Sequence, residues 1–371
     1  MDTILPNGSS TRDEGVSIVI CCHNSAARLP ETLKHVAAQE ISTKIRWEVL
    51  VIDNASADHT AETAAALWPQ VTAAPLRVIS EPQLGLSFAR QRGLAEARYE
   101  FVSFIDDDNW ICERWVELVY NLMKSHPEVG ICGGSSEAVC EIPPPAWWDQ
   151  CSMMLAISPP DWQGGDITET GRTIWGAGMT VRKSAILTLQ QQGFQPLLTG
   201  RKGSSLVACE DIELCLAFRL AGWRLWYAPE LRLKHYMPAG RLNWRYVRRL
   251  YRGAGTSSIG CDPYHVFLNQ ASRGTGRTPE PTWLRQLAWA IKGLLRQPVL
   301  LARAICSNAE GRPEVLQTDV VIGRLLALLK SRQAYVRSIE QLRQARWRQA
   351  ARPGQPRVKD EIPINVEENT R

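Results

Sequence analysis

The chain has 371 residues, 44% hydrophobic and 22% charged, an ordinary composition for a soluble protein and long enough for one large domain with an extension or two. No run reaches the roughly 18 uninterrupted apolar residues of a membrane span, and the polar stretch 1–15 lacks the apolar core of a secretory signal, so a spanning or secreted protein is not expected. Charge is uneven: 20 Lys+Arg stand against 28 Asp+Glu in residues 1–239, and 23 against 10 in residues 240–371, for a net +5.

Residues 1–14 read as a flexible N-terminus. Short β-rich runs then alternate with helical patterns as far as residue 135. Strands are expected at 16–22, 47–52, 76–79, 101–105 and 129–132. Helices are expected from Pro30, a residue suited to a first turn, and at 60–68, 86–97 and 110–124. This alternation predicts parallel strands joined by right-handed crossovers, with ligands beyond the carboxyl ends of the strands. Ten cysteines are scattered, several in apolar runs (Cys21, Cys22, Cys132), with no Cys-x-x-Cys pair. They read as buried thiols in a reducing cytosol rather than disulfides or zinc ligands.

The strand 101–105 closes on Asp106-Asp107-Asp108. Adjacent carboxylates repel and resist desolvation, so a cation must neutralise them if they are buried. A hard divalent ion does this with one or two carboxylates and keeps positions for phosphate oxygens. A solvated turn capping a helix near Trp110 is the alternative. Asp53 ends the second strand, His23-Asn24 the first and Glu81 the third, so four strand ends converge on one polar crevice.

Between 138 and 173 the pattern dissolves into prolines, tryptophans and glycines, an irregular stretch of the length expected for a functional loop or lid. Trp147, Trp148, Trp162 and Trp175 form either an aromatic stacking wall for a ligand or a set of loop anchors. A helix is expected from Ser184. Glu210-Asp211 opens an apolar helix ending before Gly222, and β-rich runs follow at 223–227 and 231–235. Asn243 starts a basic, aromatic-rich helix and 261–282 reads as loop. Segment 283–306, broken by Pro298, reads as an amphipathic helix lying either in a membrane interface or against the catalytic body. Residues 320–350 read as one basic helix and 351–371 as a disordered tail.

Taken together, Val16–Ile20 with Asn24, Val51-Ile52-Asp53-Asn54 with Ser56, Asp58 and Thr60, Gly85 with Ala89-Arg90 and Gly93, the Asp106–Asp108 triplet and Glu210-Asp211 resemble the family 2 glycosyltransferases. The likeness covers about residues 15–240, and its nearest relatives look like bacterial polysaccharide-assembly enzymes. It implies a GT-A-like, Rossmann-type mixed α/β sheet flanked by helices at 15–240, carrying a basic helical extension at 241–350. It also implies a nucleotide-diphosphate sugar donor, a glycan or lipid-linked acceptor and a Mn²⁺ or Mg²⁺ cofactor.

By the same resemblance Asp53 contacts the nucleotide base, and Asn24, Arg90, Asp107 and Glu210 belong to the donor site. Asp106 and Asp108 match the ends of the Asp-x-Asp signature that holds ribose and metal, and Asp211 matches the general base. Gln91 departs from the usual Asn after the arginine, which leaves the detailed contacts of that helix open. His235 is either a further metal ligand or a loop histidine bonded to backbone. Trp147, Trp148 and Trp175 are the acceptor-site candidates.

One base without a second nucleophile implies direct displacement with inversion. The processive Gln-x-x-Arg-Trp signature is not found after Asp211, so single addition is expected. A sugar nucleotidyltransferase would need a Gly-rich phosphate loop where Cys22-His23-Asn24-Ser25 stands. A non-catalytic nucleotide-sugar-binding module is the other alternative, with no nucleic acid expected in the absence of RNA-binding signatures or a Walker A loop. The basic C-terminal third points to an anionic partner, membrane headgroups, nucleic acid or an anionic glycan, among which charge alone does not choose. An anionic membrane surface is the partner carried forward, with a cytoplasmic protein peripheral to the inner membrane face as the expectation.

Overall fold

A computed structural model describes residues 13–42, 44–68, 74–198, 200, 206, 209–273 and 282–349. In chain order the α/β body contains β1 (Val16–Cys22), α1 (Leu29–Ala37), β2 (Trp47–Asn54), α2 (Thr60–Leu67), β3 (Leu76–Glu81), α3 (Leu86–Glu96), β4 (Phe101–Asp106), β5 (Asn109–Ile111), α4 (Trp115–Ser125) and β6 (Val129–Cys140). It continues through β7 (Gly165–Asp166), β8 (Met179–Arg182), α5 (Lys183–Gln191), α6 (Glu210–Leu220) and β9 (Arg224–Met237). The helices α7 (Trp244–Arg273), α8 (Trp283–Leu295), α9 (Pro298–Cys306), α10 (Glu314–Lys330) and α11 (Arg332–Arg343) follow.

These strands make a mixed sheet in the order β3-β2-β1-β4-β8-β6-β9-β5, with β7 pairing β9. The first half, β3-β2-β1-β4, is all parallel, as the alternation predicts. In β1 successive side chains enter different cores: Ile18 and Ile20 join one cluster and Val19 the other. Both faces are therefore covered, which is why this strand is almost continuously apolar. Full burial of each such side chain contributes about 1.5–3 kcal/mol. The expected α/β sheet flanked by helices is the architecture observed.

Several boundaries differ from expectation. Asn109–Ile111 is a strand, not the start of a helix, because it pairs antiparallel with β9, Asn109 opposite His235. The helix begins only at Trp115. The two short runs after Gly222 are one strand, β9, whose register against β6 shifts between Gly134 and Ser135.

Most of the expected loop 261–282 is helix. α7 continues through Pro263 to Arg273 because its inner residues, Tyr264 and Phe267 among them, are buried against the body. The expected single helix at 320–350 is instead the end of α10 and the whole of α11, broken at Ser331, with a short 3-10 turn at Arg346–Gln349; residue 350 lies outside the described residues. The tail 351–371 and residues 1–12 of the expected flexible N-terminus lie outside the described residues.

Beyond Arg241 the helices pack on the body and on one another. A Cβ on Gly323 would lie 2.0 Å from Arg252 O, so glycine is what lets α10 touch the backbone of α7. Beside that crossing Asp319 is fully buried, paired with Arg248 at 2.7 Å and also with Arg252. Glu213 of α6 accepts from Tyr264 Oη of α7 at 2.6 Å and from the backbone N–H groups of Leu197 and Leu198. The first part of the extension is therefore docked on the α/β body.

Candidate active site

The carboxyl ends of β1, β2 and β4, the N-terminus of α6 and the end of β9 face a cleft of about 490 Å³. Asp106, Asp107, Asp108, Arg90, Glu210 and Asp211 line it together, with His235 and Trp175. Residues more than a hundred positions apart thus share one space because the sheet order places β1, β4 and β9 on the same edge.

Each carboxylate of the triplet has its own arginine. Arg28 of the β1–α1 turn donates to Asp107 Oδ2 at 2.6 Å, and Ser25 Oγ donates to the same oxygen. Arg90 of α3 stands 3.8 Å from Asp106 and 3.3 Å from Glu210. Arg241, in the turn after β9, lies 3.0 Å from Asp108 Oδ2. Burial pushes the Asp106 and Asp107 carboxyls above the usual range despite these partners, with the neighbouring carboxylates adding to the rise. Arg28 and Arg241 were not among the sequence candidates. Nothing local marks them, since each meets its aspartate only through the tertiary fold.

Arg241 Nη1 also lies 3.1 Å from His235 Nε2. A guanidinium can only donate, so Nε2 presents its lone pair, the form in which imidazole binds a metal. Asp108 Oδ1 is 3.5 Å from the same nitrogen. Asp108 Oδ2 is buried and accepts no aligned hydrogen bond, although the guanidinium is near. This donor set fits a divalent cation, and Arg241 stands where positive charge is wanted. Among the described residues no three His, Cys, Asp or Glu side chains converge closely enough to hold an ion alone. Substrate oxygens would have to complete such a site.

Asp211 lies in the first turn of α6, where the preceding Cys209 has φ +79°, a strained left-handed geometry for a residue with a Cβ. Asp211 Oδ2 accepts the Gly176 N–H at 2.8 Å and Oδ1 accepts the Ile212 N–H at 2.8 Å. Its carboxylate is thereby fixed in direction. A Cβ on Gly176 would meet Arg90 Nη2 at 2.4 Å, so any side chain there would displace the guanidinium.

Asp53 pairs with Cys22 across β1 and with Ser80 across β3, and its Oδ1 accepts the Ser56 N–H at 3.3 Å. The adjacent Asn54 lines the cleft and was missed as a positioning residue. Its side-chain amide donates to Glu81 O and Gln83 O and its oxygen accepts the Gly85 N–H at 2.8 Å, pinning the turn into α3. Asn24 has φ +50° and accepts the Ala57 N–H at 2.8 Å, so it ties two loops at the rim.

The tryptophans separate into two groups. Trp147 and Trp148 are buried in apolar clusters, Trp147 edge-on to Trp244 at 5.3 Å. They are anchors of the irregular segment, which corrects their reading as an acceptor wall. Trp175 does line the cleft, stacked on Trp162 at 5.1 Å. The exposed Met153 and Met154, unnoticed in the sequence, add apolar surface to the lining of the same cleft.

Comparison with known proteins adds three findings. Residues 17–152 match the model of glycosyl transferase family 2. The cholesterol galactosyltransferase of Borreliella burgdorferi is 31% identical over 117 residues, which is 32% of this chain and 31% of that protein. The succinoglycan biosynthesis protein ExoM of Rhizobium meliloti is 25% identical over 251 residues, covering 67% of this chain and 75% of that protein. Among solved structures, S. aureus TarS 1–349 in complex with UDP superposes with a TM-score of 0.46 at 15% identity, covering 86% of this chain and 92% of that one. The segment 17–152 thus carries the sequence pattern of glycosyl transferase family 2.

Proposed function

We propose that this protein is an inverting, divalent-cation-dependent glycosyltransferase of polysaccharide biosynthesis. It moves one sugar from a nucleotide-diphosphate donor to a hydroxyl of a glycan or lipid-linked acceptor, working at an anionic membrane face. The observation that carries this reading is the sharing of one cleft by the Asp106–Asp108 triplet and the oriented Asp211 carboxylate. The match of residues 17–152 to glycosyl transferase family 2 and the similarity to ExoM support it.

In this mechanism Asp53 and Asn24 receive the nucleotide, and Arg90, held between Asp106 and Glu210, fixes the donor side of the cleft. Bound Mn²⁺ or Mg²⁺, held by Asp108 and His235 with Asp106 alongside, would stabilise negative charge on the departing diphosphate. Asp211 takes the proton of the acceptor hydroxyl as that oxygen attacks the anomeric carbon. The two N–H groups on Asp211 hold its lone pairs in direction at some expense of basicity. Trp175 offers a ring face to the acceptor.

The test is transfer or slow hydrolysis across UDP-, GDP- and dTDP-sugars with and without Mn²⁺, using the wild type, Asp108→Ala and Asp211→Asn. Turnover that is unchanged by chelation or by both substitutions overturns the assignment.

A further inference from the structure

The first helix after residue 282 has one face covered and one bare. Ala290 and Leu294 of α8 are buried, and Trp283 Nε1 donates to Leu328 O of α10 at 2.8 Å. The opposite face carries Leu284, Ala288, Ile291 and Leu295, spaced four, three and four apart, so they form one continuous stripe. Leu284 is 64% exposed and Leu295 70%. The adjoining line is Arg285, Trp289, Lys292 and Arg296, with Trp289 59% exposed. Helix α9 continues the pattern with Val299 and Ile305, both more than 60% exposed, and with Arg303. Scattered exposed apolar residues are normal, but a stripe on consecutive helices is not.

The geometry points to α8 and α9 as a docking face for an anionic lipid bilayer, lying in the plane of the interface. This rests on the membrane-face placement proposed above and names the surface responsible. Two observations select the occupant. Residues 283–306 hold four Lys or Arg and no Asp or Glu, so the partner must present negative charge beside apolar material. The arginine and lysine stems flank the stripe, where they can lie along acyl chains while their heads reach phosphates. A second copy of the chain fits poorly, because a two-fold contact would set these cations against themselves. At thirteen residues α8 is about 20 Å long, too short to span and long enough to lie flat. No helix among the described residues is long and apolar enough to cross a membrane.

Co-sedimentation of the full chain with phosphatidylglycerol/phosphatidylcholine vesicles, and with pure phosphatidylcholine, tests this. The wild type should bind the anionic vesicles and release as salt rises. The triple variant Leu284→Gln/Ile291→Gln/Leu295→Gln should bind at least about tenfold more weakly, since each apolar side chain contributes to insertion. Arg285→Gln/Lys292→Gln/Arg296→Gln should lose roughly fivefold per cation. Leu67→Gln, on an exposed residue of α2, should change nothing. Unchanged circular dichroism melting keeps a binding loss from being misread as unfolding.

If the wild type binds anionic vesicles and both triple variants bind equally well, this face is not the dock, although the membrane reading survives. If the wild type binds neither vesicle, both ideas fall. If light scattering finds a dimer that the apolar triple variant dissolves, the occupant is a second copy and the lipid assignment is overturned.

Discussion

Replacing Arg241 by methionine removes what is, among the described residues, the only arginine within ion-pair reach of Asp108, while keeping much of the side chain's bulk. The Asp108 side chain is 2% exposed and that of Arg241 23%, so the pair is largely withdrawn from water. Breaking one partner of a buried pair typically costs about 3–5 kcal/mol, because a charge is left behind unpaired. Asn109 Nδ2, 3.2 Å from Asp108 Oδ1, compensates in part, and the cleft admits water, so about 3 kcal/mol is expected. For a body of this size that lowers the melting temperature by about 6–12 °C.

A divalent cation supplies the missing charge. Millimolar Mn²⁺ should therefore raise the melting point of Arg241→Met by several degrees more than that of the wild type. Differential scanning fluorimetry with and without Mn²⁺, and Mn²⁺ titration followed by electron paramagnetic resonance, read both effects. If the variant melts within about 1 °C of the wild type, or Mn²⁺ shifts both proteins equally, Arg241 does not hold the place of an ion.

Asp211→Asn should reduce transfer by about 10²- to 10⁴-fold while nucleotide binding, followed by calorimetry, stays within threefold. Trp147→Ala should cost about 3–5 kcal/mol of stability with no change in acceptor KM, because the ring is buried against Trp244; a KM effect at unchanged stability would restore it to an acceptor role. Glu213 is pushed up to about 6 by burial, which outweighs the donors Tyr264, Leu197 and Leu198. Its folded carboxyl binds a proton more readily than the unfolded one, so this group's contribution to stability falls as pH rises from about 4.5 through 6. The loss amounts to about 2 kcal/mol. Glu213→Gln should lack that slope in urea titrations between pH 4.5 and 7, and an identical slope in both proteins would refute the assignment.

How far the fold is legible in the sequence varies along the chain with the kind of signal. The parallel half of the sheet is readable because β1, β2 and β4 are buried on both faces and so spell uninterrupted apolar runs. The Asp triplet is readable because three charges ending such a run demand an explanation. The identity of the cation is not, because Arg28 lies 79 positions from Asp107 and Arg241 lies beyond β9. The β5 strand is hidden because three residues carry no periodicity, and only pairing with β9 fixes them. Pro263 and its neighbours mimic a loop until the buried face of α7 is known. Trp147 and Trp148 illustrate the same limit, since an aromatic pair in a proline-rich stretch reads identically whether it faces a sugar or a core.

Helix α7 begins three residues after Arg241 and runs for 30 residues, a rod of about 45 Å. Its contact with α10 at Gly323, backbone on backbone, is a fulcrum with almost no give. A tilt of about 2° around that point moves the end next to Arg241, about 12 Å away, by about 0.4 Å, and the far end, about 32 Å away, by about 1 Å. The short arm of this lever is the one that leads to Arg241, so the crossing at Gly323 keeps the cleft end of α7 nearly in place while its far end has more freedom.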